Sequence, residues 1–123
     1  MNNQISLIGR IVREPEVKEL DGGKKVSNIT VAIPRSYKNA DGEYEKDYID
    51  VSIWGDMAKN TVEYCKQDDL IGVRGRIESK LIDNEDGTKT KKYNIIAERV
   101  SFLSTAKTKR EVKETEDLDE PEM

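Results

Sequence analysis

The stretch Tyr48-Ile49-Asp50-Val51-Ser52-Ile53-Trp54 decides the architecture, because its aliphatic residues fall on every second position. Successive side chains of a β-strand point to opposite faces. Ile49, Val51 and Ile53 therefore form one side, and Tyr48, Asp50, Ser52 and Trp54 the other. Such alternation is the mark of a half-buried strand, and here the polar side still carries two large flat rings.

The same period of two extends outward from this segment. Upstream, residues 26–33 set Ile29, Val31 and Ile33 inward, and the chain enters a loop past Pro34. Downstream, residues 70–82 set Ile71, Val73, Ile77 and Leu81 inward and Arg74, Arg76 and Lys80 outward, and a last strand runs from about 92 to 103. Residues 3–13 differ, since Ile5, Leu7 and Ile11 share one parity while Ile8 and Val12 share the other, around Gly9. A strand apolar on both sides of a glycine can bend and serve two sheets, as closing a barrel requires; Gly72 and Gly75 offer the fourth strand the same freedom. Turn signals at Asp21-Gly22-Gly23, Ala40-Asp41-Gly42 and Glu85-Asp86-Gly87 separate the strands. Met57, Ala58, Val62 and Cys65 fall at helical spacing over 57–66, with Cys65 read as a small buried residue. The order predicts an all-β fold: a five-stranded Greek-key OB-fold barrel with one α-helix between strands three and four.

That domain is expected over residues 1–104, and residues 105–123 are expected to form a flexible acidic tail. Beyond Leu103 there is no aromatic residue and little that is apolar, so burial cannot offset the ordering entropy. The 123-residue chain carries a net charge of −4, with 17 basic against 18 acidic residues up to Ala106 and 4 against 7 beyond. A near-neutral body permits a local basic face, which matters more for a polyanion than the total.

Composition also excludes. The chain contains no histidine and a single cysteine, Cys65, so a Ser-His-Asp triad, a histidine-ligated zinc site and an intramolecular disulfide cannot be built. No cofactor or metal is expected. There is no Walker-type phosphate loop and no carboxylate pair in a recognisable motif, so an enzyme is the reading with least support. No apolar run approaches the length that spans a bilayer, and the N-terminus shows no secretion signal; a cytoplasmic protein that does not engage membranes is expected.

Holding single-stranded nucleic acid takes cations along the phosphates and flat side chains under the bases. Both are interleaved here. Lys24 and Lys25 lie in the first loop, Arg35-Ser36-Tyr37-Lys38 follows the second strand, Tyr48 and Trp54 stand on the third, and Arg74, Arg76 and Lys80 on the fourth. Taken singly, an outward tryptophan also suits packing under a loop or at a subunit contact, and exposed cations are commonly only solvated. Tyr64, Tyr93 and Phe102 read as core or interface. The combination on one sheet face carries the weight.

Residues 3–11 (NQISLIGRI), 13–17 (REPEV), 26–32 (VSNITVA), 48–59 (YIDVSIWGDMAK) and 72–77 (GVRGRI) resemble, in order and spacing, the bacterial and phage single-stranded DNA-binding proteins. The resemblance implies non-catalytic, largely sequence-independent binding and protection of single-stranded DNA during replication, recombination or repair, by a nucleoid-associated homotetramer. It places base stacking on Tyr37, Tyr48 and Trp54, and phosphate contacts follow at Lys24, Lys25, Arg35, Lys38, Arg74, Arg76 and Lys80. A fourth stacking position of the family falls on Ile82, which offers apolar contact only. Family tails end in acid followed by a tip closing with phenylalanine that docks replication and repair proteins. The corresponding residues are Asp117, Leu118, Asp119, Glu120, Pro121, Glu122 and Met123, with acid but no phenylalanine. An OB module for RNA, or a replication-accessory adaptor, would use the same fold.

Overall fold

The computed structural model describes residues 1–104; the acidic tail and its candidate partner-binding residues lie outside the described residues. Six strands and one helix follow in the order β1 (Ile5–Ile11), β2 (Lys18–Glu19), β3 (Lys25–Lys38), β4 (Tyr44–Trp54), α1 (Asp56–Tyr64), β5 (Leu70–Asp83) and β6 (Lys89–Ser104). The two-residue β2, which carries no periodic signal, is the one strand absent from the sequence reading. It extends β3 through Lys18↔Val26 and Glu19↔Lys25.

The strands are ordered β1-β5-β6-β4-β3-β2, and β1 closes the barrel by also pairing with β3. Its first part runs against β5 (Ile5↔Gly75 to Arg10↔Leu70), and its end meets β3 at Arg10↔Ala32 and Ile11↔Val31. Gly9 marks the bend: a Cβ there would lie 2.7 Å from the Ala32 carbonyl oxygen and 2.8 Å from Ile33 Cγ1. Only a residue without a side chain lets the two backbones approach this closely. On the opposite side β4 and β6 pair in parallel at Val51↔Ile95 and Ser52↔Ile96.

Ile11, Ile29, Val31, Val51, Ile53, Ile71, Val73, Ile95 and Ala97 fill the barrel, with Ile5, Leu7, Ile33 and Ile49 partly buried around them. Helix α1 plugs one end with Ala58 and Thr61. Asp56 in its first turn suits the positive end of the helix. The buried Thr61 hydroxyl donates to the Met57 carbonyl at 2.8 Å, which satisfies this polar group inside the fold. The chain becomes extended at Cys65, whose N–H donates to the Thr61 carbonyl at 2.9 Å and ends the helix.

Cys65 is buried just past the last helical residue. Burial first, then the charge of Asp69, push its thiol up to about 11 from an ordinary 9.0. The unfolded chain thus releases this proton before the folded one, and the stability the neutral thiol contributes is lost as pH rises from about 9 to about 11. At pH 8 Cys65 should resist iodoacetamide in the native protein and react once denaturant is added, as mass spectrometry would read. Rapid native alkylation would contradict the buried placement.

Two hairpins outgrow the barrel. Strand β5 loses β1 beyond Gly75, and β6 meets β4 only at Ile95 and Ile96, so residues 78–83 and 89–94 pair with each other alone. Ile77 and Leu81, expected inward, are consequently exposed at 39% and 59%. Their parity is that of the core, but no second layer covers the ribbon at that height. Strand β3 likewise continues with β4 past its last contact with β1, so Arg35, Tyr37 and Lys38 belong to a strand and not to a loop. Tyr64, Tyr93 and Phe102 are exposed as well, none of them in the core, with the Tyr64 and Phe102 ring centroids 5.9 Å apart.

Candidate nucleic-acid interface

Trp54 closes β4 on the outer face, opposite Val26 of β3, and is 42% exposed. Its surroundings follow from the register. The Asp21-Gly22-Gly23 turn is held by Gly23 N–H to the Leu20 carbonyl (3.0 Å) and Leu20 N–H to the Lys24 carbonyl (2.6 Å). Gly55 N–H donates to the Lys25 carbonyl at 2.8 Å, which fixes the start of β3 beside the end of β4. A groove on this side is therefore lined by Lys24, Lys25 and Trp54, with Asp56 at the start of α1 beside them. A second groove on the other side is lined by Trp54, Arg76, Glu78, Lys80, Asn94 and Ile96. The indole is the wall the two grooves share.

The floor beside it is polar and cross-linked. Ser52 Oγ donates to Asn28 Oδ1 at 2.9 Å, and Asn94 Nδ2 donates to Ser52 Oγ at 3.0 Å. These bonds tie β3, β4 and β6 across the outer face. One step further, Thr30 Oγ1 donates to Asp50 Oδ1 at 2.6 Å, a second cross-link between β3 and β4. Tyr48 follows on the same face, opposite Ala32. It stands six residue steps from Trp54 along β4, about 20 Å at the usual rise. Tyr37 lies further out along β3, and both tyrosines are 64% exposed. Tyr48 and Trp54 share the outer face of β4, and Tyr37 stands past the register break on β3, so the aromatic residues are spread along a track on β3 and β4 and not clustered.

The expected cations divide into four groups. Lys24, Lys25 and Lys80 stand at the tryptophan grooves with no carboxylate within ion-pair distance among the described residues. Lys38 sits 5.6 Å from the centroid of the Tyr44 ring, out along the track. Two others are engaged. Arg76 pairs with Glu78 at 2.7 Å and Glu98 at 3.5 Å, and the Glu78 hydrogen bond in the first place holds its pKa above the ordinary value. Arg35 is bonded to Asp47 and Glu45, which leaves little of its guanidinium for a ligand.

Arg74 goes elsewhere. It faces Arg99 across β5 and β6 and lines a separate cleft with Ser6, Ile8, Ser101 and Leu103. A register shift between Arg74 and Gly75 puts an extra residue, Glu98, into β6. Such a bulge sharpens the local twist, so two side chains of one parity on β5 end up over different parts of the barrel. Ile82 is half-buried on the ribbon, opposite Thr90.

Lys92 follows the turn after the fourth long strand of the barrel. It lies directly opposite Lys80 across β5 and β6. Among the described residues no three His, Cys, Asp or Glu side chains come together as a metal site would need, and no helix is long and apolar enough to cross a membrane.

A small closed barrel with one helix, a flat ring at the edge of its outer face and lysines on either side of that ring defines an OB-type oligonucleotide-binding module. The chain belongs to the single-strand binding protein family, whose model matches residues 2–103. Among curated relatives it is 38% identical over 103 residues to single-stranded DNA-binding protein B of Bacillus subtilis, covering 84% of this chain and 91% of that one. It is 37% identical over 106 residues to single-stranded DNA-binding protein 1 of Clostridium acetobutylicum, covering 85% and 96%. With the single-stranded DNA-binding protein of Halalkalibacterium halodurans it shares 38% over 103 residues, and spans 61% of that longer chain.

Proposed function

We propose that this protein binds and protects single-stranded DNA without catalysis and largely without regard to sequence, in replication, recombination or repair. The observation that carries the reading is Trp54, exposed between Lys24 and Lys25 on one side and Arg76 and Lys80 on the other. Bases stack on Trp54, and further along the track on Tyr48 and Tyr37. The free lysines neutralise the phosphates between them. Every base has a π-face, so such a surface accepts any sequence, and no group on it is arranged to cleave a bond.

A homo-oligomer, a tetramer by family resemblance, would let one strand pass over several such faces. The outer edge of β1 supports this: Ile8 is 59% exposed there and Leu103 beside it 49%. Replication or repair proteins would be engaged through residues 117–123, and the working place would be the cytoplasmic nucleoid.

The test is a titration of oligo-dT of several lengths at several salt concentrations, read by quenching of the single tryptophan. Quenching with a log–log salt slope of about −0.7 per neutralised phosphate is expected. The slope of Lys80→Ala should be shallower by about that amount. No fluorescence response and no gel shift at low salt would defeat the reading, and tighter binding of structured RNA than of oligo-dT would move it to RNA.

A further inference from the structure

The hairpin that carries Tyr37 has little to hold it in shape. Past Val31 and Ala32, β3 loses β1 and pairs with β4 alone. Two-stranded ribbons are marginal in water, and this one is also broken. The register runs from Pro34↔Lys46 to Lys38↔Tyr44, so β3 advances four residues while β4 advances two. Pro34 has no N–H to give to a ladder. Tyr37 therefore sits in the segment with the weakest backbone pairing of the whole track.

Arg35 spans that gap with its side chain. Its Nη2 donates to Asp47 Oδ1 at 2.8 Å, its Nε to Oδ1 at 3.1 Å and Oδ2 at 3.3 Å, and its Nη1 to Glu45 Oε2 at 2.8 Å. The other oxygen of Glu45 accepts from Asn39 Nδ2 at 3.3 Å. Asn39 Oδ1 in turn accepts the N–H groups of Asp41 (2.9 Å) and Glu43 (3.0 Å), which shapes the turn. One planar guanidinium thus links the bulged part of β3 to two residues of β4 and through them to the tip. A fork of this geometry fixes orientation as well as distance.

We propose that Arg35 is a positioning residue for DNA binding and not a phosphate contact: bridging Asp47 and Glu45, it braces the bulged segment so that Tyr37 is presented at a fixed place on the track. This rests on the binding reading above. It sets a different role from the one expected of a cation beside a tyrosine, because three of the five guanidinium N–H groups and the charge they carry are already directed to two carboxylates within the hairpin.

The test uses the full chain, fluorescently labelled oligo-dT and four variants: Arg35→Gln, Arg35→Lys, Tyr37→Ala and Arg35→Gln with Tyr37→Ala. Arg35→Gln should weaken binding about three- to tenfold, bounded by what the Tyr37 ring supplies, with the salt slope unchanged. The double variant should bind no more weakly than Tyr37→Ala. Arg35→Lys should restore only part of the loss, since an ammonium cannot serve both carboxylates in one plane.

In the free protein, amide hydrogens of residues 36–46 should exchange faster in Arg35→Gln. A slope shallower by about 0.7, the signature of one lost phosphate contact, would overturn the proposal, as would fully additive losses or wild-type affinity in Arg35→Gln. Should the wild-type protein ignore oligo-dT, the binding reading fails. Hydrogen exchange then still decides the brace, and unchanged exchange would refute it.

Discussion

Trp54→Ala is expected to weaken binding of oligo-dT by about 5- to 150-fold, the largest loss from any single change on the track. Stacking is worth about 1–3 kcal/mol per base by alanine substitution, and 1.4 kcal/mol is tenfold in Kd. Trp54 should lie toward the upper end, because its ring is the common wall of both grooves and both sets of lysines converge on it. One exposed lysine contributes less, since a solvated charge is screened in the free and bound states alike.

Trp54→Phe should recover much of the loss, because it keeps a flat ring at the same place. Anisotropy of labelled oligo-dT is the readout, as the intrinsic fluorophore is removed. Urea unfolding run alongside separates binding from folding, which matters because Val26 beneath the ring is 5% exposed and would be partly uncovered. A folded Trp54→Ala protein within twofold of wild-type affinity would show that the indole is not a base platform.

The second large effect is on the fold. Gly75→Ala should destabilise the protein by about 3 kcal/mol, at the upper end for overpacking, whereas Gly72→Ala should cost less than about 1 kcal/mol. A Cβ on Gly75 would overlap the Ile96 carbonyl oxygen, with the carbonyl carbon at 2.9 Å and Ala97 Cα at 3.2 Å. All three are backbone atoms of the paired strand, so relief requires β5 and β6 to part at the bulge. A Cβ on Gly72 would meet only ordinary contacts, the nearest being Leu103 Cδ1 at 3.6 Å. In urea the Gly75 variant should lose about 1–3 M of midpoint at typical slopes. Equal losses at the two glycines would refute the close approach at Gly75.

These glycines show how far the sequence could be read. Both stand in one apolar strand, and both suggested conformational freedom. Only the pairing of β5 with β6 reveals that one of them is a point of backbone contact and the other is not. Ile77 and Leu81 make the same point from the other direction. Their alternation with Arg76, Glu78 and Lys80 is plain in the sequence, yet alternation names a side without saying whether anything covers it. Arg74 and Arg76 share a parity and were expected to share a ligand, and the extra residue in β6 sends them to different clefts. Arg35 was expected to meet phosphate because it flanks Tyr37, while the carboxylates that occupy it, Glu45 and Asp47, lie ten and twelve residues away.

The sequence by itself determined the five long strands and the parity of their core-facing sides, the helix, the turns and the exposure of Tyr37, Tyr48 and Trp54. Each of these depends on neighbours within a few residues, through the two-residue period of a strand and the rotational freedom of glycine at turns. The tertiary structure alone decided which cations remain available, where the barrel ends and the bare ribbons begin, and that Lys24, Lys25 and Lys80 converge on one indole. Those outcomes depend on register and bulges between segments far apart in the chain, and a single inserted residue there redirects side chains with no trace in the local pattern.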